Sequence, residues 1–213
     1  MTLHDKHKFI EFSMAEEALC LGEYRTKAGR LSPYFFNAGL FNSGESIRRL
    51  GRFYAETILS KGLEYDMLFG PADKGIPLVV CVAVALAEKG HSVGYAFNRK
   101  EKKSHGEGGD TVGARLEGKV LIVDDVVSGG GSILEAANII KNAGAEVSGA
   151  IVALDRLERG KESCTAAEEL RQKFNIPIFS IAALTDLVTY LRANDLHLEY
   201  LEKIDRYRKI YGA

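Results

Sequence analysis

Residues 120–132 read VLIVDDVVSGGGS and place two adjacent carboxylates directly after a run of strand-forming apolar residues. Apolar runs of this kind are typical of strands that are buried between helices. Removing an unpaired carboxylate from water costs several kcal/mol. Asp124 and Asp125 are therefore expected to meet a polar partner, and the serine and glycines that follow are expected to form a loop beside it.

The chain around this stretch alternates between short apolar runs and helical periodicity from residue 66 to residue 181. This alternation predicts an α/β fold with a central, mostly parallel sheet flanked by helices. At 213 residues the chain has the length of a single domain, 1–213. We expect its core at about 46–185 and a small N-terminal hood mainly at 1–45. The predicted strands are 66–69, 92–97, 120–124, 146–154 and 177–181.

Several helix ends are readable in the sequence. A helix that begins near Ile47 is expected to stop before Gly62, and a second helix has Pro77 in its first turn. Ser132 and Glu135 have the spacing of a capping box at the start of a third helix.

The two ends of the chain lie outside the alternating pattern. A helix is predicted around Glu11 to Leu21, and a short antiparallel piece is predicted in the aromatic stretch 22–41. A packing helix is predicted at about 195–211, where apolar residues recur at helical spacing. These residues are Leu198, Leu201, Ile204, Tyr207 and Tyr211.

Composition limits the classes of function. The chain has 28 lysines and arginines against 29 aspartates and glutamates, so no overall basic field is present to attract nucleic acid. Its three cysteines are widely spaced and odd in number, which favours a reducing cytoplasm over a disulfide framework. The first residues mix charges and lack a long apolar segment, so neither a signal peptide nor a membrane partner is expected.

The acidic stretch has the chemistry of a sugar phosphate site. In open parallel sheets, ligands collect at the carboxyl ends of the strands, where Asp124 and Asp125 are predicted to lie. Ionised carboxylates accept strong hydrogen bonds from vicinal hydroxyls, and a glycine-rich loop before a helix, at 128–132, suits a phosphate. The alternative is a polar turn without a ligand. The nucleotide-binding patterns GxxxxGK[ST] and GxGxxG do not occur in the sequence.

The stretch VLIVDDVVSGGGS resembles the phosphoribosyl diphosphate (PRPP) signature of type I phosphoribosyltransferases. The resemblance implies the fold of that family, with the two acids on the ribose hydroxyls and the loop on the 5′-phosphate. It also implies that magnesium arrives bound to PRPP, without a direct metal ligand from the protein. The implied PRPP contacts in this stretch are Asp124, Asp125, Val126, Val127, Ser128, Gly129, Gly130, Gly131 and Ser132.

A second stretch, FNRKEKKSHGEGG at 97–109, concentrates cations in front of a glycine-rich run. Its composition predicts an exposed, mobile loop that is able to meet a polyanion. The alternative is a solvated charged loop without a ligand. The potential cations are Arg99, Lys100, Lys102, Lys103 and His105.

This cationic loop is similar to the catalytic flexible loop of the orotate phosphoribosyltransferases. Three further segments resemble the same family, namely SPYFFNAGLFNSG at 32–44, GPADKGIP at 70–77 and LDRLERG at 154–160. By these segments the chain is identified as a member of the bacterial and fungal type of this family. The resemblance implies transfer of the phosphoribosyl group of PRPP to N1 of orotate, which forms orotidine 5′-monophosphate and diphosphate in UMP biosynthesis.

The family match also implies roles for cations. Cations around the departing diphosphate stabilise the negative charge that grows on it and so lower the barrier. Loop closure also excludes water from the cationic sugar. The implied catalytic residues are Arg99, Lys100, Lys103 and His105, and the further implied contacts of PRPP are Lys27, Asp73 and Lys74.

Two of the implied PRPP contacts also have an alternative interpretation. Asp73 stands where relatives carry an aromatic residue, and its carboxylate is expected to oppose the diphosphate unless it turns toward magnesium, Lys74 or solvent. Lys27 follows from the resemblance, because the residues alone also fit a solvated hairpin tip.

The orotate contacts that the resemblance implies are Phe35, Phe36, Ser128 and Arg156. The two phenylalanines would hold the ring by stacking and through backbone groups. The planar guanidinium of Arg156 would offer paired donors to the anionic pyrimidine. From the residues alone, two adjacent aromatics also fit a core, and the arginine also fits a strand end at the surface.

The resemblance implies a homodimer in which the 99–109 loop is shared between subunits. Two alternative functions remain open from the sequence, a phosphoribosyltransferase for another base and a PRPP-sensing regulator without catalytic activity. The regulator would be expected to carry a DNA-binding segment or a basic face, and neither is evident in the sequence.

Overall fold

The computed structural model of the chain describes residues 2–26, 29–103 and 109–213, and it describes only the backbone of residues 101–103, 109 and 110. In chain order the elements are α1 (Leu3–Ala15), β1 (Leu19–Arg25), β2 (Leu31–Phe36), α2 (Gly44–Ser60), β3 (Met67–Gly70), α3 (Gly75–Glu88), β4 (Gly94–Lys103), β5 (Gly109–Gly113), β6 (Lys119–Val127), α4 (Gly131–Asn142), β7 (Glu146–Asp155), α5 (Ala166–Phe174), β8 (Ile178–Ala183), α6 (Leu184–Ala193) and α7 (Leu198–Tyr211).

The central sheet has the strand order β5-β4-β3-β6-β7-β8. Its neighbouring strands are parallel except for β4 and β5, which pair antiparallel. Buried apolar residues form two clusters, and helices contribute to both. The predicted α/β fold with a mostly parallel sheet is confirmed, and each of the five predicted strands overlaps an observed strand.

The cationic stretch differs from its prediction as a loop. The structure continues β4 to Lys103 and begins β5 at Gly109. Asn98 pairs with Thr111, and Lys103 pairs with Gly109. Strand backbone therefore enters this stretch from both ends, residues 104–108 lie outside the described residues, and the expected mobility of the loop stays a prediction. β5 has no counterpart among the predicted strands, because its sequence GDTVG is short and begins and ends in glycine.

The strand that carries the acid pair is longer than predicted. The sequence predicts an end at Asp124, whereas β6 continues to Val127. Val126 pairs with Leu154 and Val127 pairs with Asp155 on the neighbouring β7. This pairing satisfies backbone groups that would otherwise be buried without partners, so both carboxylates lie on the strand itself and the loop begins after them.

The N-terminal region combines a helix with a hairpin. The predicted helix around Glu11 to Leu21 is wrong in position, because α1 ends at Ala15 and residues 19–21 belong to β1. Thr2 and Asp5 form the capping box that starts α1, a signal that places the helix one or two turns earlier. The predicted antiparallel piece is confirmed by the pairing of β1 with β2.

The helices α2 and α3 follow their predicted pattern. α2 ends at Ser60, and Gly62 adopts the left-handed backbone conformation with φ 59° just beyond its end. α3 begins at Gly75, with Pro77 in its first turn. Because α3 follows β3 after a short turn, its N-cap residue, Lys74, lies at the carboxyl edge of the sheet.

The predicted C-terminal helix is confirmed as α7. Its inner side buries Ile204 and Tyr207, and it contacts β2 of the hairpin and α6. The C-terminal helix therefore packs directly against the strand that carries Phe35 and Phe36. Within the described ranges, none of the helices has both the length and the apolar character that crossing a membrane requires.

Candidate active site

The two adjacent carboxylates are largely buried at the carboxyl edge of the sheet. Asp124 is 5% exposed and Asp125 is 8% exposed. Oδ1 of Asp124 accepts a hydrogen bond from the Asp125 N–H at 3.0 Å, and its Oδ2 accepts one from the Ser132 hydroxyl at 2.7 Å. The hydroxyl of Tyr54, on α2, donates to the carbonyl of Asp124 at 2.7 Å. These contacts fix Asp124 between the sheet, α2 and the start of α4.

Burial raises the pKa of Asp124 to about 6, and the charge of Asp125 adds to the rise. Hydrogen bonds from Ser132 and from the Asp125 N–H, together with the charge of Lys74, act in the opposite direction. An ionised carboxylate at this depth is short of solvation. A ligand with hydroxyl groups would donate hydrogen bonds to Asp124 and so replace those that the carboxylate loses from water on burial.

Asp125 is paired with a cation from the neighbouring strand connection. Its Oδ1 accepts a hydrogen bond from the Val126 N–H at 2.9 Å, and its Oδ2 lies 3.2 Å from Nζ of Lys74. β3 and β6 are adjacent in the sheet, which brings the two residues together from separate parts of the sequence. The fold thus places three predicted PRPP contacts, Lys74, Asp124 and Asp125, at one edge.

The glycine loop leads into the start of α4 without a side-chain cap. The predicted capping box of Ser132 and Glu135 is wrong, because the N-cap residue is Gly130 and Ser132 donates to Asp124 instead. Gly130 has φ 74°, and a Cβ there would lie 3.0 Å from a methyl carbon of Leu170. Because no side chain caps α4 within the described residues, its first N–H groups are available to a phosphate.

The predicted diphosphate side is built from the 70–74 turn and β4. Oδ2 of Asp73 lies 3.2 Å from Nζ of Lys100. The Ala72 N–H donates to Oδ1 of Asn98 at 2.9 Å, which ties the turn to β4. Nε of Arg99 is buried, and no hydrogen-bond partner for it is found among the described residues. A buried donor in this state is suited to an anionic ligand.

The side chains of Phe35 and Phe36 lie on opposite sides of β2, as strand geometry requires. Phe35 is 37% exposed and stacks on Tyr24, with ring centroids 5.3 Å apart. Phe36 is 4% exposed and packs beside the core rings of Phe9 and Phe41. Only the ring of Phe35 is therefore open to a ligand, and the side chain of Phe36 belongs to the core.

Arg156 lies inside the protein, just beyond the end of β7, and is 5% exposed. Its Nε donates to Oε1 of Glu158 at 2.6 Å. Its Nη2 donates to the hydroxyls of Ser32 at 3.0 Å and Tyr207 at 3.4 Å. The guanidinium carbon also lies 4.3 Å from the centroid of the Tyr34 ring. The arginine is thereby held where β7, β2 and α7 meet.

Three predicted PRPP-binding cations are not placed by the structure, and the side chain of Lys102, a further potential cation, also lies outside the described residues. Lys27 and His105 lie outside the described residues, and so does the side chain of Lys103, whose backbone ends β4. Ser128 is exposed in the loop after β6. The roles of these residues stay predictions.

Four residues around the site have no counterpart among the predicted site residues, namely Tyr54, Asn98, Glu158 and Tyr207. Tyr54 and Tyr207 reach the site from segments that are distant in sequence, so local patterns do not reveal them. Asn98 directly precedes Arg99 in the cationic stretch, but its contact with the Ala72 N–H depends on the 70–74 turn. Glu158 is different, because it stands two residues after Arg156 in LDRLERG. A glutamate two residues from a predicted ligand-binding arginine indicates an ion pair between the two.

Comparison with known proteins gives one family. A family model described as phosphoribosyl transferase domain matches residues 39–178. The chain is 52% identical over 206 residues to the orotate phosphoribosyltransferase of Nitrosomonas europaea, covering 97% of this chain and 91% of that one. It is 50% identical over 212 residues to that of Marinobacter nauticus, covering 99% and 100%.

Solved structures of orotate phosphoribosyltransferases are also similar to this chain. The crystal structure of the orotate phosphoribosyltransferase from Francisella tularensis superposes with a TM-score of 0.85 at 39% identity, covering 97% of this chain and 100% of that one. The Mycobacterium tuberculosis orotate phosphoribosyltransferase in complex with PRPP gives a TM-score of 0.63 at 20% identity, covering 86% and 98%. At that identity the likeness is one of fold alone.

Proposed function

This chain belongs to the phosphoribosyltransferase family and, within it, to the orotate phosphoribosyltransferases, and on that premise we propose which of its residues carry each part of the reaction. The enzyme transfers the phosphoribosyl group of PRPP to N1 of orotate, which yields orotidine 5′-monophosphate and diphosphate for pyrimidine biosynthesis. The observation that carries the assignment is the buried acid pair at the end of β6, flanked by Lys74 and by the uncapped start of α4.

The ribose phosphate part of PRPP occupies the edge beside β6 in this proposal. Asp124 and Asp125 accept hydrogen bonds from the 2′ and 3′ hydroxyls, which compensates their loss of water. Residues 126–132, from the end of β6 to the start of α4, surround the 5′-phosphate, and the N–H groups at the start of α4 donate to its oxygens. The site therefore recognises a ribose with free 2′ and 3′ hydroxyls and a phosphate on C5′.

The diphosphate part of PRPP extends toward the 70–74 turn and β4. Lys74, Arg99 and Lys100 supply cations from the described residues, and we assign the remaining cations to Lys27, Lys103 and His105. As the bond from the anomeric carbon to the diphosphate breaks, negative charge grows on the leaving group. Cations held around it stabilise that charge more than they stabilise the bound substrate, so they raise turnover.

Orotate binds on the hairpin side of the acid pair. The exposed ring of Phe35 stacks on the pyrimidine, and Phe36 contributes backbone groups because its side chain is buried in the core. Ser128 donates from the loop, and Arg156 meets the carboxylate of the base. The cation of Arg156 is desolvated at this depth, which strengthens its attraction to an anionic base.

Magnesium is carried by PRPP in this proposal. In the ranges that the structure describes, no three histidine, cysteine, aspartate or glutamate side chains are arranged as a metal site. Oxygen atoms of the diphosphate are ligands that magnesium prefers, so the ion would be held there and Asp124 and Asp125 would stay free for the ribose hydroxyls. When bound, the ion adds positive charge to the leaving group.

We also propose a homodimer in the cytoplasm, with the 99–109 loop shared between subunits. An apolar groove of about 430 Å³ lies between α2 and α3, and Val84 on its wall is 57% exposed. A second copy of the chain would cover this apolar surface. The three cysteines are free thiols, which supports a reducing compartment.

The homodimer is tested by the mass of the Val84→Glu variant in sedimentation equilibrium. We expect the variant to sediment as a monomer and the wild type as a dimer, because a buried unpaired charge opposes association. Ile210→Glu is the matched control, since Ile210 is 61% exposed on α7. Dimers of equal affinity for all three proteins would place the subunit contact elsewhere.

The activity is tested by the ultraviolet absorbance of orotate mixed with PRPP, magnesium and the purified protein. We expect loss of orotate absorbance that requires PRPP and magnesium together, with controls that omit each in turn. If absorbance persists while calorimetry detects PRPP binding, the protein is either a phosphoribosyltransferase for another base or a PRPP-sensing regulator. Assays with other bases then separate those two functions.

A further inference from the structure

We propose that Glu158 and Tyr207 are positioning residues that orient Arg156 toward the carboxylate of the base. This inference rests on the proposed contact between Arg156 and orotate. It makes the C-terminal helix α7 part of the base-binding site.

Glu158 is the centre of a buried network. It is 5% exposed, and Tyr207 is 4% exposed. Oε1 of Glu158 accepts hydrogen bonds from Nε of Arg156 at 2.6 Å and from the Tyr207 hydroxyl at 2.6 Å. Oε2 accepts a hydrogen bond from Nη1 of Arg30 at 2.9 Å. The carboxylate therefore joins the hairpin, the segment after β7 and α7 at one point.

The charges in this network do not cancel. Glu158 is one carboxylate shared by two guanidinium groups, those of Arg30 and Arg156, so the trio carries a net charge of +1. Arg30 is partly exposed and Arg156 is buried, so Arg156 is the cation whose counter-charge is shared and which an anionic ligand would complete. An anionic base would supply that charge, whereas a neutral base would not.

The hydrogen bonds of Arg156 indicate which of its atoms is left for the ligand. Nε donates to Glu158, and Nη2 donates to Ser32 and Tyr207. Among the described residues, the hydrogen bonds of this guanidinium include none from Nη1. The donors available to the base are therefore the two N–H groups of Nη1. The edge of the guanidinium that carries Nε already donates to Glu158.

Tyr207 acts on Arg156 through Glu158. Its hydroxyl donates to the oxygen of Glu158 that Nε also uses, and it accepts a hydrogen bond from Nη2. Without this hydroxyl, the carboxylate has one donor fewer and Arg156 has one acceptor fewer. The guanidinium is then free to rotate toward Glu158, which weakens its contact with the base and not the contacts of PRPP.

The test compares Tyr207→Phe and Glu158→Gln with the wild type by steady-state kinetics and thermal unfolding. Tyr207→Phe removes one oxygen atom and is the variant that is expected to fold. Each change should raise the KM for orotate about tenfold, as for loss of a charge-assisted hydrogen bond, and alter the KM for PRPP by less than about twofold. Tyr211→Phe is the matched control, since its ring packs beside Tyr207 with centroids 4.9 Å apart.

A second arm introduces Arg156→Lys, which removes the planar fork. If Tyr207 acts through Arg156, adding Tyr207→Phe in this background should change the KM for orotate by less than about twofold, because coupled residues are not additive. A purely structural role would instead lower the melting temperature and raise both KM values in either background.

The remaining outcomes separate this inference from the proposed function. If Arg156→Lys raises the KM for orotate and Tyr207→Phe leaves it unchanged, the positioning role is wrong and the base contact stands. If Arg156→Lys also leaves it unchanged in an active enzyme, the assignment of Arg156 is wrong and the inference is wrong with it. If the wild type consumes no orotate, the activity itself is wrong.

Discussion

Oδ2 of Asp73 lies 3.2 Å from Nζ of Lys100, so the carboxylate that the sequence predicts to oppose the diphosphate is paired with a cation of β4. The next residue, Lys74, is paired in the same way with Asp125. Two of the proposed diphosphate cations, Lys74 and Lys100, thus have carboxylate partners within the protein. In the proposed complex, the diphosphate replaces these partners, and the carboxylate of Asp73 remains as a negative charge beside it.

Asp73→Asn should lower the KM for PRPP about threefold, because it removes a like charge that salt only partly screens. The free energy of unfolding should change by less than about 0.5 kcal/mol, since the side chains of Asp73 and Lys100 are 66% and 77% exposed and exposed ion pairs contribute little. Asp205→Asn on α7 is the control. A higher KM for PRPP would indicate that Asp73 aids binding, for example through magnesium.

Sequence patterns predicted the elements whose signals are local. The apolar run before Asp124, the helix end at Gly62 and the spacing of α7 each depend on neighbouring residues, and all three are found in the structure. The helix around Glu11 to Leu21 failed because residues 19–21 pair with β2. Pairing with a distant strand is a tertiary effect that outweighs local helical periodicity.

The sequence predicted which residues belong to the site better than it predicted their burial and contacts. The residues Lys74, Asp124 and Asp125 were predicted together because they belong to recognisable motifs, and the structure brings them together. A core position was one of two interpretations for Phe36, and the burial of Arg156 was not predicted, because both depend on α1 and α7 packing against the hairpin. The predicted capping box of α4 was wrong because Ser132 donates to the buried carboxylate of Asp124. No local sequence pattern reveals that contact.

The double variant Asp124→Asn/Asp125→Asn should lose about 100-fold in affinity for PRPP, because two charged acceptors become neutral amides. Free orotate should bind no more weakly than before, since the pair faces the ribose. Isothermal calorimetry with each ligand measures both affinities. Glu146→Gln, an exposed change at the opposite edge of the sheet, is the control. Unaltered PRPP binding in the double variant would exclude the acid pair from the site.

The stability of the protein without substrate should fall between about pH 4 and about pH 6 through Asp124. Its pKa is raised from 3.8 to about 6 on folding, so the folded protein binds this proton more tightly than the unfolded chain does. The contribution is complete below pH 3.8 and is lost as pH rises through the folded pKa. At 1.36 kcal/mol per pKa unit, the loss is about 3 kcal/mol.

Urea unfolding of the wild type and Asp124→Asn at pH 4, 5, 6 and 7 measures this contribution. The variant cannot ionise at this position, so its stability relative to the wild type should increase across the series. A constant difference between the two proteins would show that Asp124 titrates normally in the folded state.

Gly130→Ala should lower the free energy of unfolding by about 1 to 2 kcal/mol, because an alanine is strained in the left-handed region. Its Cβ would also approach the side chain of Leu170 to 3.0 Å. Gly131→Ala is the matched control, since a Cβ there has open space and alanine favours a helix. Urea unfolding should give a large decrease for the first variant and none for the second. Equal effects would mean that the backbone at Gly130 does not require glycine.

Lys103→Ala should lower kcat about 100- to 1000-fold while leaving the melting temperature unchanged. The lysine ends β4 at the hairpin that continues from Arg99 and Lys100, and we assign its cation to the leaving diphosphate. Loss of such a cation removes roughly 3 to 4 kcal/mol of transition-state stabilisation. Lys203→Ala, on the exposed side of α7, controls for the loss of one positive charge.

Pre-steady-state mixing with PRPP and orotate distinguishes the chemical step from product release in this variant. A slow first turnover places Lys103 in the bond-breaking step, because a cation on the leaving group acts before any product forms. Turnover equal to that of the wild type and of Lys203→Ala would remove Lys103 from the mechanism. The charge on the diphosphate would then be met by Lys74, Arg99 and Lys100.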